Sequence, residues 1–342
     1  HLNLGIILID LGKLKEAELS HRKAIKLKPD YCEALFYLGS LYQNTDKLNK
    51  SSKYYQKNIN SNIIKKELKL FSLLYTAINN FIQYKLEETS IIHEKIDQEL
   101  NTGSKASNNT NIKQHIIHAY KGFRYLENNL KKSTIDLNLK QIPHIGDSHC
   151  LTFAHQTLNI SKDKRRIQPL YIVGAKAWHF ANNIENKFKS YLKEKIKNNT
   201  SSNQVLISFG EIDCRESEGI LKYSIKYNKN IEKVCFNTIV GYLNFMENNL
   251  SYVYKERYYF GTPAPYLIRK NITEIDIKRK KLIKIYNLIL KKEVLSRGAY
   301  FIDVYGLTSN NGWNNNNYMM DEQHLDPSSL PKLIERHFYE TS

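Results

Sequence analysis

The sequence predicts a two-part chain of the α plus α/β class, with helical repeats over residues 1–135 and an α/β domain with a parallel sheet over 138–342. Three observations carry this. Near the N-terminus, residue types recur at a spacing of 34 (39 − 5): Gly5 returns as Gly39, Leu14 as Leu48 and Ile25 as Ile59. From about residue 138, short β-rich apolar runs alternate with helical stretches, the pattern of a parallel sheet covered on both faces. Between the two parts, 101-NTGSKASNNTN-111 is small and polar without an apolar period, and reads as a linker.

The repeats come first. The segment 4-LGIILIDLGKLKEAELSHRKAIKLKPD-30 is echoed by 38-LGSLYQNTDKLNKSSKYYQKNINSN-62. Small residues at Gly5, Ala17 and Ala24 let two helices approach closely, and Pro29 closes the second helix because proline cannot continue it. This pattern resembles the tetratricopeptide repeat. The second copy departs from it, with Asp46 at the turn glycine and Ser51 at the packing alanine. Residues 64–99, with Leu68, Phe71, Leu74, Tyr75 and Ile78 at helical spacing, extend the stack as divergent helices, and a further helix covers 112–131. The resemblance implies a protein partner bound through the repeats.

In the second part, strands are expected at Ile142–Ile145, Pro169–Val173, Val205–Phe209, Arg257–Phe260 and Tyr300–Val304. Helices are expected over about 150–158, 180–197, 230–250, 273–296 and 328–339. Sites in such sheets form at the C-terminal ends of the strands. The loops carrying GDSH, GAKAWH and GEIDCR fall there.

Composition narrows the function classes. Lys and Arg number 51 against 34 Asp and Glu, a formal charge of +17. The chain is rich in Lys, Asn, Ile and Tyr, and its basic residues are spread out, so the charge does not point to nucleic acid, whose aromatic-and-basic modules are lacking. No apolar run approaches the ~20 residues of a membrane span. Cys32, Cys150, Cys214 and Cys235 form no CxxC pair and read as free thiols, the expectation for a reducing, cytoplasmic setting. The chain opens with His1, not Met, and reads as a fragment of a longer protein.

The chemistry centres on 144-HIGDSHC-150. A strand that ends in a tight turn and opens a helix is a place to present a reactive hydroxyl, here Ser148, although the same residues are ordinary turn formers. A serine needs a base, the base needs an acid to hold its tautomer, and the developing oxyanion needs donors. Near the C-terminus, 321-DEQHLD-326 offers Asp321 and His324 three residues apart, so that one segment delivers both.

The order GDSH at 146–149, Gly174, GEID at 210–213 and DEQH at 321–324 resembles the SGNH (GDSL-like) hydrolase superfamily over about residues 140–340. The resemblance implies a flavodoxin-like three-layer α/β/α fold and cleavage or transfer of acyl esters. It makes Ser148 the nucleophile and an oxyanion donor through its backbone N–H, Gly174 a second donor, and Asp321 and His324 the acid and base. Leu325 after the histidine matches the branch that acts on glycans.

One position departs from the family. Its third block reads GxND, with Asn as a side-chain oxyanion donor, whereas Ile212 stands here. Losing one such donor costs ~3–4 kcal/mol. Arg215 and His149 are the candidates to compensate, and Arg215 is equally a salt-bridge partner for Glu211 or Glu216. Glu211 and Asp213 anchor or shape the loop, and Trp178 is placed to stack on a sugar ring. His144 and His179 read as structural, Cys150 and Cys214 as buried thiols, and 314-NNNN-317 as a solvated loop or a lid.

Two functions follow. The first is a serine-dependent O-acyl esterase or acyltransferase acting on an acylated small molecule, glycan or glycolipid, with no cofactor or metal. The second is a non-catalytic binding or scaffold module, favoured by Ile212. They differ in the distance between Ser148 and His324: catalysis requires about 2.6–3.2 Å.

Overall fold

The computed structural model describes residues 1–101, 110–160, 163–267 and 271–339. The chain separates into two compact units, one of residues 1–134 with 185–195, the other of 135–184 with 196 onward.

The first unit is helical: α1 (Leu2–Asp10), α2 (Leu14–Leu27), α3 (Cys32–Asn44), α4 (Leu48–Ile59), α5 (Lys66–Ile82), α6 (Leu86–Asn101) and α7 (Thr110–Lys131). Three antiparallel pairs, α1 with α2, α3 with α4 and α5 with α6, follow the repeat predicted from the sequence. The reason for the glycines is visible in the packing. A Cβ on Gly5 would lie 2.5 Å from the His21 ring, and one on Gly39 would lie 2.8 Å from the Tyr55 ring, the same contact one repeat later. Ala17 and its counterpart Ser51 are fully buried, and Ser51 Oγ accepts a hydrogen bond from Asn79 Nδ2 at 2.9 Å. The turns take left-handed backbone at Gly12 (φ 75°) and Asp46 (φ 62°), so aspartate, which tolerates that region, fills the turn position of the second copy. Of the expected linker at 101–111, residues 102–109 lie outside the described residues.

Residues 185–195 were expected in the α/β domain but group with the repeats. The contacts explain it: Lys187 Nζ meets Asp10 Oδ1 at 2.9 Å, Ser190 Oγ donates to the Gly12 carbonyl at 3.0 Å, and buried Lys195 donates to the Gln43 carbonyl at 3.3 Å.

The second unit is α/β. In order it runs β1 (Gln141–Gly146), α8 (His149–Thr152), β2 (Thr157–Ile160), β3 (Asp163–Tyr171), α9 (Ala177–Ala181), α10 (Lys187–Asn198, its first part in the repeat unit), β4 (Gln204–Ser208), α11 (Gly219–Lys226), α12 (Ile231–Leu250), β5 (Glu256–Phe260), α13 (Glu274–Ser296), β6 (Tyr300–Ile302), α14 (Val304–Thr308), a hairpin of β7 (Ser309–Asn310) and β8 (Trp313–Asn314), and α15 (Leu330–Tyr339).

The sheet order is β2-β3-β1-β4-β5-β6. β2 pairs antiparallel with β3 at the edge, and the other neighbours are parallel. Without β2, the parallel strands have the doubly wound order 2-1-3-4-5, whose switch point lies at β1. Alternation along the strands feeds two faces. Ile142, Leu206, Tyr258 and Ile302 pack with Phe153, Leu330 and Leu333 on one side. On the other, Tyr259 of β5 and Phe209 meet Tyr242 of α12. The fold is therefore a three-layer α/β/α domain, as the resemblance implied.

The helix expected over about 180–197 is broken at 182–186 into α9 and α10, and two further local expectations fail. The helix expected over 150–158 ends at Thr152, and β3 starts at Asp163, not Pro169. The cause is a two-residue period at 157–160: Leu158 and Ile160 are buried while Thr157 and Asn159 face out, which makes a strand. Helix α11 was not anticipated either.

Candidate active site

Strand β1 ends at Gly146 because β4 runs too close for any side chain there. A Cβ would lie 2.3 Å from Ser208 Oγ and 2.8 Å from the Ser208 carbonyl oxygen. The chain then turns through Asp147 and Ser148 into α8, with Ser148 in helical backbone (φ −55°, ψ −21°) at the head of that short helix. This leaves the Ser148 side chain half-buried at the C-terminal edge of the sheet, beside the switch point.

Ser148 Oγ lies 2.8 Å from His324 Nε2, although 176 residues separate them in sequence. His324 Nδ1 lies 2.8 Å from Asp321 Oδ2. Asp321 Oδ1 accepts from the backbone N–H groups of Gln323 and His324, each at 2.7 Å. The three-residue spacing thus closes a turn in which one carboxylate oxygen caps the backbone and the other orients the imidazole. Burial alone would raise Asp321, but the hydrogen bond and charge of His324 and the two amides hold its carboxyl well below the usual range. With Asp321 ionised, Nδ1 carries the proton and Nε2 faces the serine as an acceptor.

A second histidine–carboxylate pair adjoins the first. His149 Nδ1 is 2.8 Å from Asp147 Oδ1, and its Nε2 is 3.0 Å from the Gln323 carbonyl oxygen. Burial opposes a charge on His149, but the Asp147 carboxylate outweighs it and pushes His149 up to about 9. Its partner Asp147 would be raised by burial and is instead held low by the His149 charge. His149 was a candidate oxyanion donor. That assignment is corrected here, because both ring nitrogens are already spent, on Asp147 and on Gln323.

The third block is tied down locally. Arg215 is committed to Glu211, with Nε at 2.8 Å and Nη2 at 2.6 Å from Glu211 Oε2. Asp213 is fully buried and accepts from the amides of Ala177 (2.8 Å) and Trp178 (2.9 Å), which fastens this loop to the one after β3. Burial pushes Asp213 up to about 7 against the pull of those amides. Gly174 lies in that second loop with left-handed backbone (φ 67°) and open space where a Cβ would be. Ile212 is buried and brings no donor.

Other expected residues fall as follows. Trp178 has its ring against Tyr223, with centroids 5.0 Å apart, and lines a cleft whose wall does not include Ser148. His144 is buried and neutral, pushed down to about 3 by burial, and stacks on Phe260 at 5.1 Å. His179 accepts from the Lys176 amide at 3.1 Å. Cys150 and Cys214 are free and buried. In the asparagine run, Asn314 and Asn315 donate to the carbonyls of Ala264 (3.1 Å) and Leu307 (3.0 Å), which knits that loop to the domain. Sequence reasoning missed the pairing of Asp147 with His149 and the role of the Gln323 carbonyl. The first was signalled by the D-x-H spacing inside GDSH.

No curated protein matches the chain in sequence. Among solved structures it is similar to a candidate acylhydrolase from Bacteroides fragilis, at 18% identity and a TM-score of 0.39, over 64% of this chain and 93% of that one. It is also similar to an extracellular lipase from Streptomyces rimosus (14% identity, TM-score 0.35, 58% and 99% coverage) and to phospholipase A1 from Streptomyces albidoflavus (12%, 0.32, 58% and 99%). Likenesses this distant leave topology and site geometry to carry the functional reading. Residues 1–31 match the tetratricopeptide repeat family, so the chain carries tetratricopeptide repeats ahead of a doubly wound α/β domain.

Proposed function

We propose that the α/β domain is a serine-dependent O-acyl esterase or acyltransferase. The observation that carries this is the run of 2.8 Å contacts from Ser148 Oγ to His324 Nε2 and from His324 Nδ1 to Asp321 Oδ2. Ser148 gives its hydroxyl proton to His324 Nε2 as Oγ attacks the acyl carbonyl carbon. Asp321 stabilises the resulting imidazolium. The oxyanion is met by the backbone N–H groups of Ser148 and Gly174. Collapse breaks the ester C–O bond, and His324 returns its proton to the leaving alkoxide. Water or a sugar hydroxyl then attacks the acyl-enzyme, with His324 again as base, and Ser148 regains its proton.

The acyl carrier is a glycan or glycolipid, a preference supported by Leu325 after His324 and by Trp178 near the second loop. Arg215, Glu211 and Asp213 shape the site, and the repeats recruit a protein partner. No helix among the described residues is long and apolar enough to cross a membrane.

A binding module without catalysis is the second reading, favoured by buried Ile212 where the family has its Asn donor. Hydrolysis of p-nitrophenyl acetate separates the two. Wild type should exceed both Ser148→Ala and His324→Ala by roughly 10³-fold or more, with circular dichroism unchanged. Equal rates in all three would remove esterase activity toward simple esters and favour the binding module.

A further inference from the structure

A second cleft, of about 420 Å³, opens between α9 and the start of α12. Trp178 and Tyr223 form one wall, their rings inclined by 48°. Tyr227 continues the aromatic stripe, 4.8 Å from Tyr223. Lys229, Lys233 and Asn237, all exposed, also line the cleft. Among the described residues, neither lysine ammonium has an ion-pair or hydrogen-bond partner, whereas Lys176 nearby is paired with Glu218 and Lys281 with Glu232. Two unneutralised cations beside partly buried rings make a site with a defined chemical preference.

The rings offer apolar faces to the C–H face of a pyranose, Asn237 offers donor and acceptor to hydroxyls, and the lysines attract an anionic group. The volume lies within the range of small-ligand sites. Single-stranded nucleic acid also stacks on aromatic rings, but two lysines are too few to track a backbone over several nucleotides, and the rings are not coplanar. We infer that this cleft binds an anionic saccharide, its sugar face on Trp178 and Tyr223 and its carboxylate, phosphate or sulfate on Lys229 and Lys233. The main chain gives the cleft a link to the proposed chemistry, since the Trp178 amide is bonded to Asp213 and Trp178 follows Gly174 on the same loop. As a statement of substrate class the inference rests on the proposed function, while binding in the cleft does not.

Trp178 and Trp313 are the two tryptophans of the chain, so fluorescence of a Trp313→Phe protein reports on the cleft. The probes are tetragalacturonate, a heparin-derived tetrasaccharide and a sugar-phosphate oligomer, with maltotetraose as the neutral control and oligothymidylate as the nucleic-acid control. At least one acidic saccharide should quench Trp178, more weakly as salt rises, and should bind about tenfold or more tighter than maltotetraose. The double substitution Lys229→Gln with Lys233→Gln should remove that advantage. Quenching by none of the acidic probes, equal binding of maltotetraose, or binding of oligothymidylate alone would each overturn the inference. The same titration in Ser148→Ala separates the two proposals. Saccharide binding with no loss of esterase activity in that variant would leave the cleft standing and the proposed reaction fallen. Loss of esterase activity without saccharide binding would do the reverse.

Discussion

The rings of His149 and His324 lie side by side, centroids 4.8 Å apart, and both are anchored to the same four-residue segment. His324 belongs to it, and His149 grips the Gln323 carbonyl oxygen. A carbonyl only accepts, so Nε2 of His149 carries a proton, while the Asp147 carboxylate holds a second on Nδ1. One imidazolium therefore stands beside the proposed general base, clamping the loop that delivers it.

His149 is expected to act as a positioning residue with a stability signature. Its folded-state value of about 9 exceeds the ordinary 6.5, so its contribution is fully present below pH 6.5 and is lost as pH rises through 9. The difference corresponds to on the order of 3 kcal/mol. Urea denaturation of the wild type should show this loss between pH 6.5 and 9.5, and His149→Gln should lack it. Turnover of the variant should fall by roughly 10²-fold through displacement of His324, with KM little changed. An unaltered pH–stability curve would remove the charged clamp.

Asp213 should give a dependence of the same sign in a lower pH window. Its carboxyl is raised from 3.8 to about 7, so the folded state binds the extra proton and stability falls as pH rises from about 4 through 7. Asp213→Asn should abolish that slope. It should also destabilise by about 1–3 kcal/mol, because an amide nitrogen would face one of the two backbone donors, Ala177 or Trp178. Denaturation midpoints at pH 4.5 and 7.5 for both proteins check this.

The repeats and the site share one sensitivity to added volume. Gly39→Ala puts a methyl 2.8 Å from the Tyr55 ring, and Gly146→Ala puts one 2.3 Å from Ser208 Oγ. Each should cost about 1–3 kcal/mol. They should differ in function: Gly146→Ala shifts the Ser148 turn and lowers esterase activity, while Gly39→Ala leaves the activity of the folded fraction intact. Thermal melts alongside initial rates distinguish the two.

What was legible in the sequence was whatever repeats or alternates. Gly5 and Gly39 betrayed the repeat because helix packing leaves no room for a side chain at either, and β-rich runs such as Val205–Phe209 announced buried strands. The pairing of Ser148 with Asp321 and His324 was legible only through the resemblance, since nothing local links residues 176 apart. Strand β2 was hidden because four residues of period two sit directly after a helical turn. The seating of Lys195 on Gln43 was hidden for another reason: a buried lysine reads as a surface residue until its carbonyl partner, far away in sequence, is known.

Ile212 supplies the sharpest test of the oxyanion arrangement. It occupies the position where the resembled family has an Asn side chain, and it is buried on the short turn at 212–214, between Glu211 and Asp213, whose side chains are already fixed by Arg215 and the Ala177 and Trp178 amides. His149 has both ring nitrogens engaged and Arg215 is bound to Glu211 through Nε and Nη2, so in the proposed reaction the backbone amides of Ser148 and Gly174 are the donors expected to meet the charge. One added donor in a dry site is worth ~3 kcal/mol when well aligned, about a hundredfold in rate. Ile212→Asn should therefore raise kcat for p-nitrophenyl acetate by roughly 10- to 100-fold, less the cost of imperfect alignment, with little change in KM because the gain arises only as charge develops. Asparagine in place of a buried isoleucine should at the same time lower stability by about 1–3 kcal/mol. Faster turnover in a less stable protein would mark Ile212 as the residue that restrains this site. Unchanged or slower turnover with an intact fold would mean that the oxyanion lies out of reach of position 212, and that Ser148 and Gly174 meet it without a side-chain donor.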